Sequence, residues 1–147
     1  MIIIRIWDYR LLPYLPDAQF KGQLRELVAI MRAWRDKGAT NHLLVNKVME
    51  YGKCELTRYF IQYEHCYHFR YGHWLDKYSD EFVRFSGKMD DDRHYSDGWH
   101  DDEYLRICMA NLYEKHKYGR GKSRISDAEW EFLLKGYKKI TGEEYEV

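Results

Sequence analysis

Three groups of side chains in this sequence can do chemistry. The first is the pair Arg25-Glu26, inside a stretch of helical period. Phe20, Leu24, Leu27, Met31 and Trp34 recur every three or four residues and form one apolar stripe. Glu26 falls off that stripe. Gly22, Ala29 and Ala33 share its side, so the carboxylate has small neighbours and room for a ligand or a second backbone. A carboxylate so placed can move a proton or stabilise a positive charge; it can equally be a solvated residue beside close packing. The second group is His65, His68 and His73, interleaved with Glu64 and Cys66. His65 and His68 are three apart, a spacing that metal ligands use. No HExxH motif is present, and Asp90, Asp91 and Asp92 sit in a loop, so the reading here is plain surface or core-edge histidines and no metal. The third group is the run Lys115–Arg124, with Lys115, Lys117, Arg120, Lys122 and Arg124 beside Tyr118. Its glycines let the backbone approach a phosphate. It has no P-loop spacing, and a solvated loop is the plainer alternative. No Ser/His/Asp or Cys/His nucleophile arrangement is present.

The elements that must position these groups read as mainly α. Residues 2–7 form an extended apolar segment. Pro13 and Pro16 precede a helix from Asp17, its N-cap, to about Lys37, stopped by Gly38. Thr40 or Asn41 caps a second helix that Gly52 ends. A third runs from about Glu55 to Arg70, closed by Gly72. Residues 76–102 read as a long loop with one helical turn near Glu81–Phe85; loops of that length are often functional. A fourth helix fits Asp101 to Tyr118, with acids at its start and lysines at its end. Ser126-Asp127-Ala128-Glu129 is a capping box opening a last helix. The expected fold is one compact domain over residues 1–147, of four to five helices, with an extended N-terminal segment and a long central loop.

Composition narrows the function classes. The 147 residues carry 24 basic and 24 acidic side chains, a neutral balance that argues mildly against a dedicated non-specific nucleic-acid binder but leaves room for a local basic stripe. Aromatic residues make up 17%, which suits half-buried faces, contact surfaces and base stacking as well as a small aromatic core. Three cysteines without a CxxC pair fit free thiols in a reducing compartment, and a cytoplasmic location is expected. No secretory signal or membrane span is read, and no cofactor is expected.

Helix one is where the sequence meets a known family. Arg5-Ile6-Trp7, Leu11-Leu12-Pro13-Tyr14-Leu15-Pro16, Gln19, Gly22-Gln23 and Arg25-Glu26-Leu27 resemble the start of pyrimidine-dimer DNA glycosylases of the endonuclease V type. The likeness continues through Asn41-His42-Leu43-Leu44-Val45-Asn46-Lys47-Val48 and Tyr51. It returns more sparsely at Tyr104-Leu105-Arg106, Asn111-Leu112, Glu114-Lys115, Ile125-Ser126 and Glu129-Trp130. The resemblance implies a mostly helical protein that flips a base, cuts its glycosidic bond and cleaves the strand as a lyase. The implied nucleophile is the α-amine, here on Met1. Glu26 would stabilise the charged sugar and move protons, and Arg25 would hold phosphate or the displaced base. Gln19, Gly22, Gln23, Asn41 and His42, with Arg120 and Lys122 of the basic run, are the implied substrate contacts. The implied partner is double-stranded DNA with damaged or modified pyrimidines. If Arg5-Ile6 aligns with the family's start, the amine lies two or three residues further along, a displacement of up to about 10 Å. Either Met1 folds back toward Glu26, or the Schiff-base step is absent.

Two other readings stand beside this one. A non-catalytic binding module on the same fold would recognise distorted DNA, a nucleotide or a protein partner. A metal-dependent hydrolase would use the histidines at 65–73.

Overall fold

The computed structural model describes residues 4–38 and 43–147, with the side chains of 43–46 left out of the description. Among the described residues there are six α-helices, two 3-10 helices and no strand, so the mainly α expectation holds. The α-helices are α1 (Asp17–Lys37), α2 (Leu43–Glu50), α3 (Gly52–Tyr71), α4 (Asp76–Ser86), α5 (Asp102–Lys117) and α6 (Asp127–Thr141). The 3-10 helices are Tyr9–Tyr14 and Gly121–Ser123. The chain divides into two compact units, Met1–Gln23 with Trp99–Val147, and Leu24–Gly98.

In the first unit, Asp8 caps the Tyr9–Tyr14 3-10 helix by accepting the Arg10 N–H at 3.0 Å. Pro13 lies inside that helix. Periodicity alone had read no element there, because a 3-10 helix repeats too tightly for an i, i+4 pattern. Asp101 caps α5, accepting the Tyr104 N–H at 2.9 Å. α6 opens on the expected capping box: the Ser126 N–H donates to Glu129 Oε1 at 2.9 Å, and the Glu129 N–H to Ser126 Oγ at 3.1 Å. α6 packs on the Tyr9–Tyr14 helix at Gly136, where any Cβ would run into the Tyr14 ring. Ile6, Leu11, Leu12, Phe20, Leu105, Met109, Leu112 and Leu133 are fully buried and form this unit's core.

In the second unit, Leu27, Met31, Val48, Leu56, Phe60 and Phe82 are fully buried. Three boundaries differ from expectation, two in this unit and one at Asp17 in the first. The 76–102 segment is not a loop throughout: α4 spans Asp76–Ser86 and seats Phe82 on α3, its ring stacked on Phe60 at 4.3 Å. Its start is stabilised from outside the local sequence, since the backbone N–H of Leu75 donates to Glu64 Oε2 at 2.9 Å. Gly52, expected to end a helix, instead opens α3 at φ +83°, and a Cβ there would collide with Asp91 Oδ2. Asp17 is the first residue of α1 rather than its cap; the Phe20 N–H donates to Pro16 O at 2.9 Å. The expected caps Thr40 and Asn41 lie outside the described residues. Gly38 and Gly72 do stop their helices, at φ +73° and +80°.

The rest of the central segment is tied down. Arg58 donates to Asp91 O at 2.8 Å and Arg93 O at 3.0 Å. The buried carboxylate of Glu55 accepts the Tyr95 N–H at 2.6 Å. Arg93 in turn donates to Glu50 O, the carbonyl at the end of α2, at 2.6 Å. Among the described residues no helix is long and apolar enough to cross a membrane.

Candidate functional site

Helix α1 carries the polar residues singled out by sequence. Gln19, Gly22, Gln23 and Glu26 stand at i, i+3, i+4 and i+7, so they form one stripe along the helix. Buried amides on such a stripe must find partners, because an unpaired polar group away from water costs about 1–3 kcal/mol. Gln23 finds two in the segment that precedes the first 3-10 helix. Its Oε1 accepts the Trp7 N–H at 2.8 Å and its Nε2 donates to Arg5 O at 2.9 Å. Its amide therefore holds the N-terminal segment on α1. Gln19, also buried, donates from Nε2 to Ser123 O at 2.8 Å.

That second bond ties α1 to the basic turn. The turn is held from three directions: Gln19 grips Ser123 O, the Ile125 N–H donates to Lys115 O at 3.3 Å, and His116 Nδ1 faces Ile125 O at 3.0 Å. A Cβ on Gly119 would collide with the carbonyl of Lys115, so the turn requires glycine there. Residues 115–124 contain five Lys or Arg and no acid. Arg120, Lys122 and Arg124 are exposed, and among the described residues none of them forms an ion pair. By contrast Arg10, Arg32, Arg35, Arg58 and Arg93 are all paired with carboxylates. The molecule is formally neutral, yet this turn gathers five cations with no acid among them, as a polyanion site requires. A shallow pocket of about 380 Å³ lies against it, lined by Asn111, Glu114, Lys115, Tyr118, Gly119 and Ser123.

The structure thus brings Gln19 to the turn bearing Arg120 and Lys122. Gly22 is half-exposed on α1, and Arg25 is exposed. Glu26 is half-exposed, with Oε2 shielded from solvent. Ala29 is exposed and Ala33 half-exposed, which leaves that side of the helix open. Met1, Asn41 and His42 lie outside the described residues. The histidines at 65–73 form no metal centre: His68 stacks on Trp74 at 3.9 Å, His65 meets the same ring edge-on, and His73 meets Tyr67. Among the described residues no group of three or more His, Cys, Asp and Glu is placed to hold a metal ion.

Sequence reading missed the polar network that fixes the N-terminal segment. Asp8 is fully buried and takes a two-pronged contact from Arg10, at 3.0 Å to each oxygen, while Arg10 also reaches Asp102 at 2.9 Å. These carboxylates hold the Arg10 guanidinium well above its ordinary pKa. The Tyr104 hydroxyl donates to Ile6 O. His100 accepts the Tyr9 N–H at Nδ1, at 3.1 Å, and stacks on Tyr104. Burial, with Arg10 nearby, lowers its pKa to about 3, so its imidazole is neutral. The only signal for Asp8 was its place before a turn, which says nothing of Arg10 reaching on to Asp102, 92 residues away.

Residues 4–68 match a family model described as pyrimidine dimer DNA glycosylase. No curated protein and no solved structure gave a match. The matched span contains the gripped segment, Gln19, Gln23 and the Arg25-Glu26 pair; the basic turn lies beyond it. Over residues 4–68 the chain is similar to the pyrimidine dimer DNA glycosylase family, which supports the resemblance drawn from its motifs.

Proposed function

We propose that this protein is a DNA repair glycosylase with associated abasic-site lyase activity on damaged or modified pyrimidines. The observation that carries the reading is the position of Arg25-Glu26 within the family-matched span, on the helix whose polar stripe organises the N-terminal segment. The free cations of the basic turn supply phosphate contacts that a duplex binder needs.

In this mechanism a neutral α-amine, assigned to Met1, attacks the sugar C1′ of the damaged nucleotide. A C1′–N bond to the protein forms as the glycosidic bond breaks, and the departing base takes up a proton. Loss of the amine's protons and opening of the sugar ring at C1′–O4′ leave an imine. Removal of a C2′ proton then expels the 3′ phosphate and cuts the strand, and water releases the amine. Glu26 stabilises the cationic sugar and carries protons. Arg25 holds a phosphate or the displaced base.

Two experiments test this reading. Glu26→Gln should lower strand cleavage of a pyrimidine-dimer duplex by about 10²–10⁴-fold while the melting temperature is kept. Borohydride should reduce the imine and trap a covalent adduct on duplexes carrying a dimer or an abasic site, and the adduct should vanish when the α-amine is blocked. Unchanged cleavage by the variant, or no adduct from folded protein on either duplex, would overturn the amine mechanism and leave a binding module on this fold.

A further inference from the structure

We propose that Tyr118 stacks on an unpaired base of the strand whose phosphates the basic turn holds, so that this turn prefers distorted to intact duplex; the choice of DNA as ligand rests on the functional reading above, but no glycosylase step is required. Tyr118 is 71% exposed, the most exposed ring among the described residues of its unit. Tyr113, one turn back on α5, is instead packed on Trp130 at 5.5 Å. A ring left in water beside five cations offers a stacking face where a nucleic-acid backbone is drawn in.

The fold fixes where the ring stands. Tyr118 caps the C-terminus of α5, and its backbone N–H donates to Glu114 O at 2.8 Å. Gly119 follows, at a point where a Cβ would meet Lys115 O, so the chain passes close to the last turn of α5 directly after the ring. Lys117 Nζ lies 5.8 Å from the Tyr113 ring and 5.7 Å from the Tyr118 ring, so a cation between two rings orients the exposed one. The Gln19 bond to Ser123 O and the Ile125 bond to Lys115 O close the turn behind it. Ring and cations therefore belong to one ordered element, which lowers the entropy loss on binding.

Charge sorts the two parts of a nucleotide. The carboxylates flanking the five cations are Glu114 before them and Asp127, Glu129 and Glu131 after them. Glu129 is engaged in the capping box of α6, and Asp127 Oδ1 lies 3.7 Å from His116 Nε2. Glu131 stands one turn further along α6 than Asp127. Glu114 is different: with Tyr118, Asn111 and Ser123 it lines the pocket of about 380 Å³ beside the turn. Its carboxylate repels a phosphate from that pocket but accepts an N–H from a base. The pocket thus favours an uncharged ring and leaves phosphates to Arg120, Lys122 and Arg124, which are exposed. A base already out of its pair reaches Tyr118 at least cost, because no stacking or pairing has to be broken first. An acidic protein surface would meet the same cations but has no use for the ring.

The test uses the full chain and fluorescence anisotropy with two labelled duplexes of equal length, one fully paired and one carrying a single bulged thymine. Wild-type protein should bind the bulged duplex at least about fivefold more tightly. Tyr118→Ala should bring the ratio of the two affinities to about 1, while its salt slope on the paired duplex stays that of the wild type; Tyr118→Trp should keep the ratio. Tyr118 is exposed, so the melting temperature of its variants should match that of the wild type. Equal binding of both duplexes by the wild type, or a ratio kept in Tyr118→Ala, as an acidic protein partner would give, would overturn the proposal. So would a fall in salt slope with Tyr118→Ala, which would mean that the ring only shapes the turn. Failure of the glycosylase reading appears separately, as no borohydride adduct with the preference for the bulged duplex intact.

Discussion

The amide oxygen of Gln23 accepts the backbone N–H of Trp7 at 2.8 Å, sixteen residues away in sequence. With Nε2 donating to Arg5 O, the side chain satisfies both polar ends at once. Gln23→Glu keeps the acceptor toward Trp7 but sets a second acceptor against the Arg5 carbonyl. It should destabilise by about 1–3 kcal/mol despite its near-identical shape. Urea unfolding of the variant decides this, and wild-type stability would mean that the grip does not hold the segment.

Arg10 neutralises a carboxylate with no access to water. Arg10→Leu leaves Asp8 buried and unpaired and should cost roughly 3–5 kcal/mol. Adding Asp8→Asn to that variant should recover part of the loss, because the stranded charge is then gone. The double-mutant cycle reads the coupling directly.

Duplex binding should be steeply salt-dependent and should lose slope with each free cation removed from the turn. Arg120→Ala and Lys122→Ala should each lower the slope of log affinity against log salt by about 1, across sequences alike. Lys138→Ala, on a cation paired with Glu144, should leave the slope unchanged. Gly119→Ala should weaken binding too, by displacing the turn from the Lys115 carbonyl. Titrations at three salt concentrations suffice.

His100 gives acid sensitivity of a definite sign. Its folded-state pKa is pushed down to about 3, chiefly by burial. The unfolded imidazole takes a proton below its ordinary pKa of about 6.5, and the folded one does not. Its contribution to stability is thus fully present above about pH 6.5 and is lost as pH falls toward 3, at about 1.4 kcal/mol per pH unit. His100→Asn keeps an acceptor for the Tyr9 N–H and cannot titrate in this range. Its stability between pH 4 and 6 should fall less steeply than that of the wild type; parallel curves would exclude the assignment.

Helix identity was legible where its causes are local. The Ser126/Glu129 capping box, the Gly38 and Gly72 stops and the Phe20–Met31 stripe depend on residues within a turn or two, and all appear in the fold. α4 was not, because its start is held by Glu64 and its seat is the Phe60 ring; only one apolar face of two phenylalanines, Phe82 and Phe85, is buried. The same limit applies to the site. Gln19, Gln23, Arg120 and Lys122 could be picked out by type and by resemblance. That Gln19 reaches the turn, and that Gln23 is spent on the Arg5–Trp7 backbone, depends on partners far along the chain.

That distance has a kinetic consequence. In the second unit the ties of α1 and α3 to α4 span tens of residues: Thr57 to Phe82 is 25, and Arg32 to Glu81 is 49. In the first unit Tyr9 reaches 91 residues to His100, Ile6 reaches 98 to Tyr104, and Gln19 reaches 104 to Ser123. Closing longer loops comes later on the way to the native state, because chain entropy must be lost before the contact rewards it. Gln23 can therefore grip Arg5 and Trp7 early, across 18 and 16 residues, whereas the Gln19 end of the same stripe waits until Ser123 has been made.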